Sequence, residues 1–288
     1  MSAKPLCPAC GSSDSKGWAE KAGCALFTCA SCGTRFADVP KALEPPETAY
    51  DDLYTGTSFA VPASVEPHLA ALVESMEPYR STGRWLDIGF GAGGLLRAAE
   101  ARGWHCSGTE ASGAALEYGK SRGWRVARAS DDPVLGGSFD AVTLIELIEH
   151  LDQPRPILNA AATGLRPGGI LHLTTPNANS LNRRVLGADW SVVAPPDHRT
   201  LFTRRGLEAA LRSAGLRVAK VRTTGLNPSE LFSGSRGHSA AAERVATGYK
   251  LNAALTATPA RQRIKRAANA LLSLLDLGDT LKAWAMRS

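Results

Sequence analysis

The stretch from Gly83 to Ser112, GRWLDIGFGAGGLLRAAEARGWHCSGTEAS, leaves a chain few ways to fold. It opens with a short apolar run, Trp85 to Ile88, and breaks at the turn Gly89-Phe90-Gly91-Ala92-Gly93-Gly94. It then continues into Ala, Leu, Arg and Glu, all good helix formers. The pattern is strand, tight turn, helix, and a second strand from His105 to Thr109 ends on Glu110, 21 residues after the first glycine. Gly89, Gly91 and Gly93 carry no Cβ, so the backbone can turn sharply and lie against a ligand. The free N–H groups at the start of the helix then face whatever negative group sits there. Glu110 stands where a nucleotide-binding α/β unit places the carboxylate that holds ribose hydroxyls.

The glycine spacing allows two readings. Gly89, Gly91 and Gly94 satisfy the dinucleotide pattern G-x-G-x-x-G, while Asp87 to Gly93 reads D-x-G-x-G-x-G. A carboxylate two residues before the first glycine suits a ligand with an ammonium or sulfonium group and is poorly placed for a pyrophosphate. With Asp87 and Glu110 in place, the segment resembles motif I of the class I S-adenosylmethionine (SAM) dependent methyltransferases, h-(D/E)-h-G-x-G-x-G.

The remaining chain extends that resemblance. Ala114 to Ser121 reads as a helix, Trp124 to Ala129 as a third strand, and Ser138 to Ile145 as a fourth, buried on both faces by its near-continuous apolar run. FDAVTLIELIEHLDQP and LRPGGILHLTTPN resemble the post-I and motif III regions of the ubiquinone-type and polysaccharide-cluster branch of these enzymes. The second reads as a helix end, a Pro-Gly-Gly turn and a fifth strand. Asn179 to Thr203 has no periodicity and reads as a long loop at a strand end, where open α/β sheets bind ligands. Phe202 to Ala214 is amphipathic with Thr203 as N-cap, and Leu216 to Arg222 alternates like a strand. DTLKAWAMR, Asp279 to Arg287, reads as the last strand. The resemblance implies an α/β, Rossmann-like seven-stranded sheet of order 3-2-1-4-5-7-6 with its last strand antiparallel, carrying a helical insert over 226–278.

A second signal lies at the N-terminus. Cys7-Pro8-Ala9-Cys10 and Cys29-Ala30-Ser31-Cys32 are two C-x-x-C pairs separated by 18 residues, the spacing of a four-cysteine zinc site, with a redox pair as the alternative. Gly11 and Gly33 follow the pairs and permit the tight knuckles. Four thiolates leave no open position, so such a metal is structural, and in so small a module it supplies folding energy. The chain thus divides into a zinc ribbon (1–40), a Pro- and Glu-rich connector with a lead-in helix (41–82), and the SAM-binding domain (83–288).

Composition narrows the function classes. The 288 residues, 44% hydrophobic, support a sizeable core, and a net charge of +6 spread along the chain allows an anionic partner without demanding one. No signal peptide and no apolar run of membrane length is present, which points to the cytoplasm, where cysteines are metal ligands or free thiols rather than disulfides. The ribbon segment from Cys7 to Cys32 carries only Lys16 and Lys21 as basic residues, too few to track a phosphate backbone, so a nucleic-acid partner is disfavoured. The oligomeric state is left open.

The resemblance implies methyl transfer from SAM to an O or N nucleophile of a small molecule such as a sugar or secondary metabolite. Asp87 orients the methionine amine, the glycine turn (Gly89, Gly91, Gly93) admits the methionine moiety, Glu110 holds the ribose, and Ala111 and Ile145 flank adenine. Ser130 is a further candidate contact at the end of the third strand. His198, beside Asp197 in the long loop, is the candidate base, because a histidine titrates near neutrality. His150 competes with it. In ubiquinone-pathway O-methyltransferases the E-x-x-E-H segment is linked to a divalent metal, and Glu146, Glu149 and His150 match that spacing, which places them on one face of a helix. Two alternatives remain: an RNA methyltransferase that grips nucleic acid through its ribbon, and a non-catalytic SAM-binding protein whose ribbon is an interaction module.

Overall fold

The computed structural model describes residues 5–44, 59–63, 65–128, 131–132, 134–228, 230 and 258–288. Its centre is a seven-stranded sheet built from β4 (Arg84–Ile88), β5 (His105–Glu110), β6 (Arg125–Arg128), β7 (Phe139–Ile145), β8 (Leu165–Pro176), β10 (Leu216–Thr224) and β11 (Thr280–Arg287). In space the strands run β10-β11-β8-β7-β4-β5-β6, with β11 antiparallel to both its neighbours. Counting only this sheet's strands from the N-terminus, that is the order 3-2-1-4-5-7-6 expected from the sequence.

Strand periodicity sends alternate residues to opposite faces. Leu86, Ile88, Val142, Leu144, Leu171 and Leu173 point one way and pack with Leu158 of α4 (Pro154–Gly164) and Leu207 and Leu211 of α6 (Arg204–Ser213). Trp85, Ala141 and Ile170 point the other way, against Val73 and Met76 of α1 (Glu66–Met76), Leu95 and Leu96 of α2 (Gly94–Glu100) and Leu116 of α3 (Gly113–Ser121). Burial on both faces is why β7 reads as an unbroken apolar run. The helix starts follow capping rules: Ser112 accepts from the Ala115 N–H and Thr203 from the Gly206 N–H.

A second, four-stranded antiparallel sheet has the order β1-β2-β3-β9. Three strands come from the cysteine-rich N-terminus, β1 (Ser15–Lys21), β2 (Cys24–Cys29) and β3 (Arg35–Asp38). The fourth, β9 (Thr200–Leu201), comes from 160 residues further along the chain.

Three local expectations are corrected. Pro167, Gly168 and Gly169 lie inside β8, where they loop out between the Phe139–Leu165 and Ala141–Ile170 pairs. Asn179 to Thr203 is not a plain loop, since it contains α5 (Leu181–Leu186) and β9. Glu146 to His150 is not helical: Glu146 has a φ of 48° and residues 148–150 form a turn. The helix expected in the 226–278 segment is α7 (Pro259–Leu274), and 231–257 lie outside the described residues. Among the described residues, no helix is long and apolar enough to cross a membrane.

One buried carboxylate ties the entry of the sheet together. Asp140 is fully buried; its Oδ2 accepts the N–H groups of Ser81, Thr82 and Gly83 at 2.9, 2.7 and 2.6 Å, and its Oδ1 accepts from Arg166 Nε. Burial alone would raise its pKa, but the guanidinium and the three N–H groups outweigh it and hold the carboxyl below its ordinary value. Asp140→Asn should therefore lose about 3 kcal/mol in urea unfolding at pH 7, because it strands Arg166 and weakens three bonds. A folded pKa below the unfolded one gives stability that is present above the unfolded value and lost as pH falls through the folded one. The wild-type advantage over the variant should accordingly shrink below about pH 4.

Candidate active site

The turn between β4 and α2 is shaped by contacts that only glycine allows. Gly89, at φ 74°, donates to the Thr109 carbonyl at 2.7 Å, and a Cβ there would meet Leu147 at 3.0 Å. Gly93, at φ 68°, would press a Cβ to 2.6 Å from the Trp124 ring. Glu110, at the end of β5, closes the turn from the side. Its Oε2 accepts the Gly91 N–H at 2.8 Å and its Oε1 accepts the Ala111 N–H at 2.7 Å. Ala111 and Ile145 stand at the ends of the two strands that flank β4, one on each side of the turn. Ser130 lies outside the described residues.

Asp87 is buried beneath this turn and accepts the Thr143 hydroxyl at 2.6 Å. Burial raises its pKa to about 7, against the Thr143 bond and with the help of the nearby Glu110 charge. A carboxylate kept this far from water gains most from a cationic partner, which is what a methionine ammonium would supply. Thr143 was not anticipated. Its signal is a hydroxyl inside the otherwise apolar run AVTLI, which in a doubly buried strand needs a partner.

The second cluster sits at the C-terminal ends of β7 and β8. Glu149, His150 and His198 bring donor atoms within 4.8 Å of one another, whereas Glu146 is not in that group. Its positive φ breaks the helical register that the E-x-x-E-H spacing suggested, yet its carboxylate still interacts with Glu149 and feels the His150 charge. Asp197 pairs with His150 rather than acting mainly on its neighbour: His150 Nδ1 to Asp197 Oδ1 is 2.9 Å, and His198 Nε2 to Asp197 Oδ2 is 3.9 Å. Burial opposes charge on His150, but Asp197 outweighs it and raises its pKa. His198 is itself lowered, chiefly by burial. Its Nδ1 is 2.8 Å from the Val192 carbonyl, so that nitrogen carries the proton and Nε2 keeps its lone pair. Glu149 accepts from Thr175 through Oε2, while its buried Oε1 has no partner among the described residues. Burial, followed by the Glu146 charge, pushes its pKa up to about 8.

The four cysteines form a third cluster. Cys7 and Cys32 place their sulfurs 3.6 Å apart, as do Cys10 and Cys29. Thiolates about 2.3 Å from a tetrahedral ion lie about 3.8 Å from each other, so these residues are disposed to hold a metal ion. Gly11 and Gly33 close the two knuckles by donating back to the Cys7 and Cys29 carbonyls at 2.8 and 2.9 Å. Cys32 is drawn down to about 4, first by the hydrogen bond from the Cys7 thiol, which favours the thiolate form that a metal ion binds.

Comparison with known proteins agrees with this geometry. Residues 64–221 match the methyltransferase domain family. The ubiquinone biosynthesis O-methyltransferase of Marinobacter nauticus is 28% identical over 162 residues, covering 50% of this chain and 68% of the relative. That of Aromatoleum aromaticum is 32% identical over 160 residues, covering 50% and 68%. Among solved structures, geranyl diphosphate methyltransferase, determined with GPP and sinefungin, aligns with a TM-score of 0.52 at 20% identity over 77% of this chain and 78% of its own. A chain from the complex of the Haloferax volcanii Trm112 methyltransferase activator with a methyltransferase aligns at 0.53 and 19% identity, over 84% and 99%. With a SAM-type glycine turn, the methyltransferase strand order and a family match over more than half its length, the chain belongs to the class I SAM-dependent methyltransferases.

Proposed function

We propose that the methyl acceptor is a small molecule, a sugar or secondary metabolite, that offers an oxygen or nitrogen nucleophile between the ends of β7 and β8 and the loop carrying His198. The observation that carries the placing of the nucleophile there is the tautomer of His198. Its Nδ1 proton is held by the Val192 carbonyl, which leaves Nε2 free to accept a proton at the strand ends where ligands of open α/β sheets react. The relatives are named for O-methylation, which favours oxygen.

SAM, when bound, supplies a methyl group already activated on a sulfonium. The protein then has to hold the donor, align the acceptor and take its proton. Asp87 faces the methionine ammonium, the turn at Gly89, Gly91 and Gly93 leaves room for the methionine moiety, Glu110 takes the ribose, and Ala111 and Ile145 flank adenine. Asp197 holds His150 and sits beside His198, so it orders both imidazoles.

The cluster of Glu149, His150 and His198 supports a second reading of the same place. An orphaned buried carboxylate oxygen beside two imidazoles fits a divalent cation, which would lower the pKa of an acceptor hydroxyl. His198 joins Glu149 and His150 in this set, and Glu146, the third member suggested by spacing, interacts with Glu149 beside it. At the four cysteines, the donor set and its spacing favour zinc in a structural role. An RNA acceptor loses further support, because Lys21, one of the ribbon's few cations, is spent on the Ala188 carbonyl at 2.6 Å.

Glu110→Ala should weaken SAM binding by roughly 10- to 100-fold in calorimetry, since charge-assisted hydrogen bonds of the ribose kind contribute about 1.5–3 kcal/mol each. Unchanged affinity would remove Glu110 from the cofactor site. His198→Ala should keep SAM affinity and lose on the order of 10²- to 10⁴-fold in turnover with a small hydroxylated acceptor. If EDTA abolishes wild-type turnover and magnesium restores it, His198 acts as a ligand and the free-base role falls.

A further inference from the structure

We propose that the cysteine-rich ribbon is the positioning element for the His198 loop, so that its metal sets the acceptor side of the active site while the glycine turn keeps a hydrogen-bond network of its own. The proposal rests on the reading of that loop as the acceptor side.

The first observation is the shared sheet. β3 pairs with β2 on one edge and with β9 on the other, in the register Arg35 to Leu201 and Phe36 to Thr200. The Ala37 N–H donates to the Arg199 carbonyl at 2.8 Å, one residue from His198. Next, the metal knuckle itself holds the end of the loop. The Thr203 hydroxyl donates to the Cys32 carbonyl at 2.7 Å, and the start of α6 is pressed so close to the knuckle that a Cβ on Gly206 would fall 2.0 Å from Thr34 Oγ1. The beginning of the segment is held as well: Arg35 reaches the Ala178 carbonyl at 3.0 Å and Lys21 the Ala188 carbonyl. Leu26 of the ribbon packs in one cluster with Trp190, Val193 and Leu201 of the loop.

His198 lines the space between the two parts. A cavity of about 10 Å³, room for one water molecule, is walled by Trp18, Arg35 and Phe36 of the ribbon and by Val193 and His198 of the loop. Trp18 Nε1 and Arg35 Nε are buried there without a partner among the described residues. The imidazole environment is therefore built in part by the ribbon. On its other side the loop is fixed by the Glu149 carbonyl, which accepts from the Arg199 and Thr200 N–H groups at 2.8 and 3.0 Å. Two clamps hold His198, and one belongs to the metal module. The glycine turn, in contrast, is bonded through Thr109, Glu110 and Arg97, and none of its described hydrogen bonds reaches the ribbon, whose Cys7, Cys29, Cys32 and Phe36 share with β4 only the apolar cluster that also holds Leu86, Ile88 and Leu207.

Hydrogen exchange of the full-length protein tests this without any acceptor. Cys29→Ser should lose bound zinc, measured by release to a chromogenic chelator, and should raise amide exchange over residues 194–203 by at least about tenfold. SAM affinity by calorimetry should stay within about twofold. Ala37→Pro deletes one clamp bond and should keep its zinc while showing the same local rise. In turnover assays both variants should lose kcat at unchanged KM for SAM. Protection of 194–203 after zinc loss would overturn the proposal. So would an equal rise over β4 to β6, because the metal would then support the whole fold. Should wild type prove inactive on every acceptor, the acceptor reading fails while the exchange result still decides whether the ribbon holds the loop.

Discussion

The cofactor half of the molecule depends on one constraint, the close approach of the β4–α2 turn to its neighbours. Trp124 covers Gly93 at a distance that no larger residue tolerates, and Leu147 lies tight against Gly89, whose positive φ adds strain to any side chain there. Glu110 can bond the Gly91 N–H only because this turn folds back over the end of β5. Packing therefore does what a charged anchor does elsewhere: it fixes three backbone segments before any ligand arrives. Trp124 is held in turn by Glu100, which accepts its indole N–H at 3.1 Å, so the turn is braced by α2 and by the residue just before β6.

Desolvation governs the other half. Asp87 and Glu149 are both removed from water at the ends of β4 and β7, and burial is the first cause raising each of their pKa values. Such a group persists only where it serves something, because an apolar residue would be cheaper at the same place. Glu146 adds backbone strain at a φ of 48°, where its N–H meets both the carbonyl and the hydroxyl of Thr174, at 3.0 and 3.2 Å. A strained residue at the surface, Glu146, thus lies three positions from a buried carboxylate, Glu149, at the end of β7.

What the sequence made legible was local. The glycine turn, the β7 run, the Thr203 cap and the two C-x-x-C knuckles are set by residues within a few positions of each other, and the structure keeps all of them. The failures are non-local. E-x-x-E-H has helical spacing, but the strand beside it claims the Glu146 N–H before a helix can start. Thr200 and Leu201 carry no strand signal of their own and become one because β3 presents an open edge. Asp197 looks like the partner of its chain neighbour, yet the turn at 148–150 swings His150 to within 2.9 Å of it.

These non-local contacts also explain why the chain carries its cysteines so far from its cofactor turn. An edge strand of two residues, like β9, is too short to be stable alone. It can hold its shape only if a stiffer partner supplies the other half of the ladder. A metal held by the four cysteines would add stiffness to the packing that the ribbon shares with α6. The segment that carries His198 is thus paired and bonded to the N-terminal ribbon through β9, the Arg199 carbonyl and Thr203, while the glycine turn is bonded to β5.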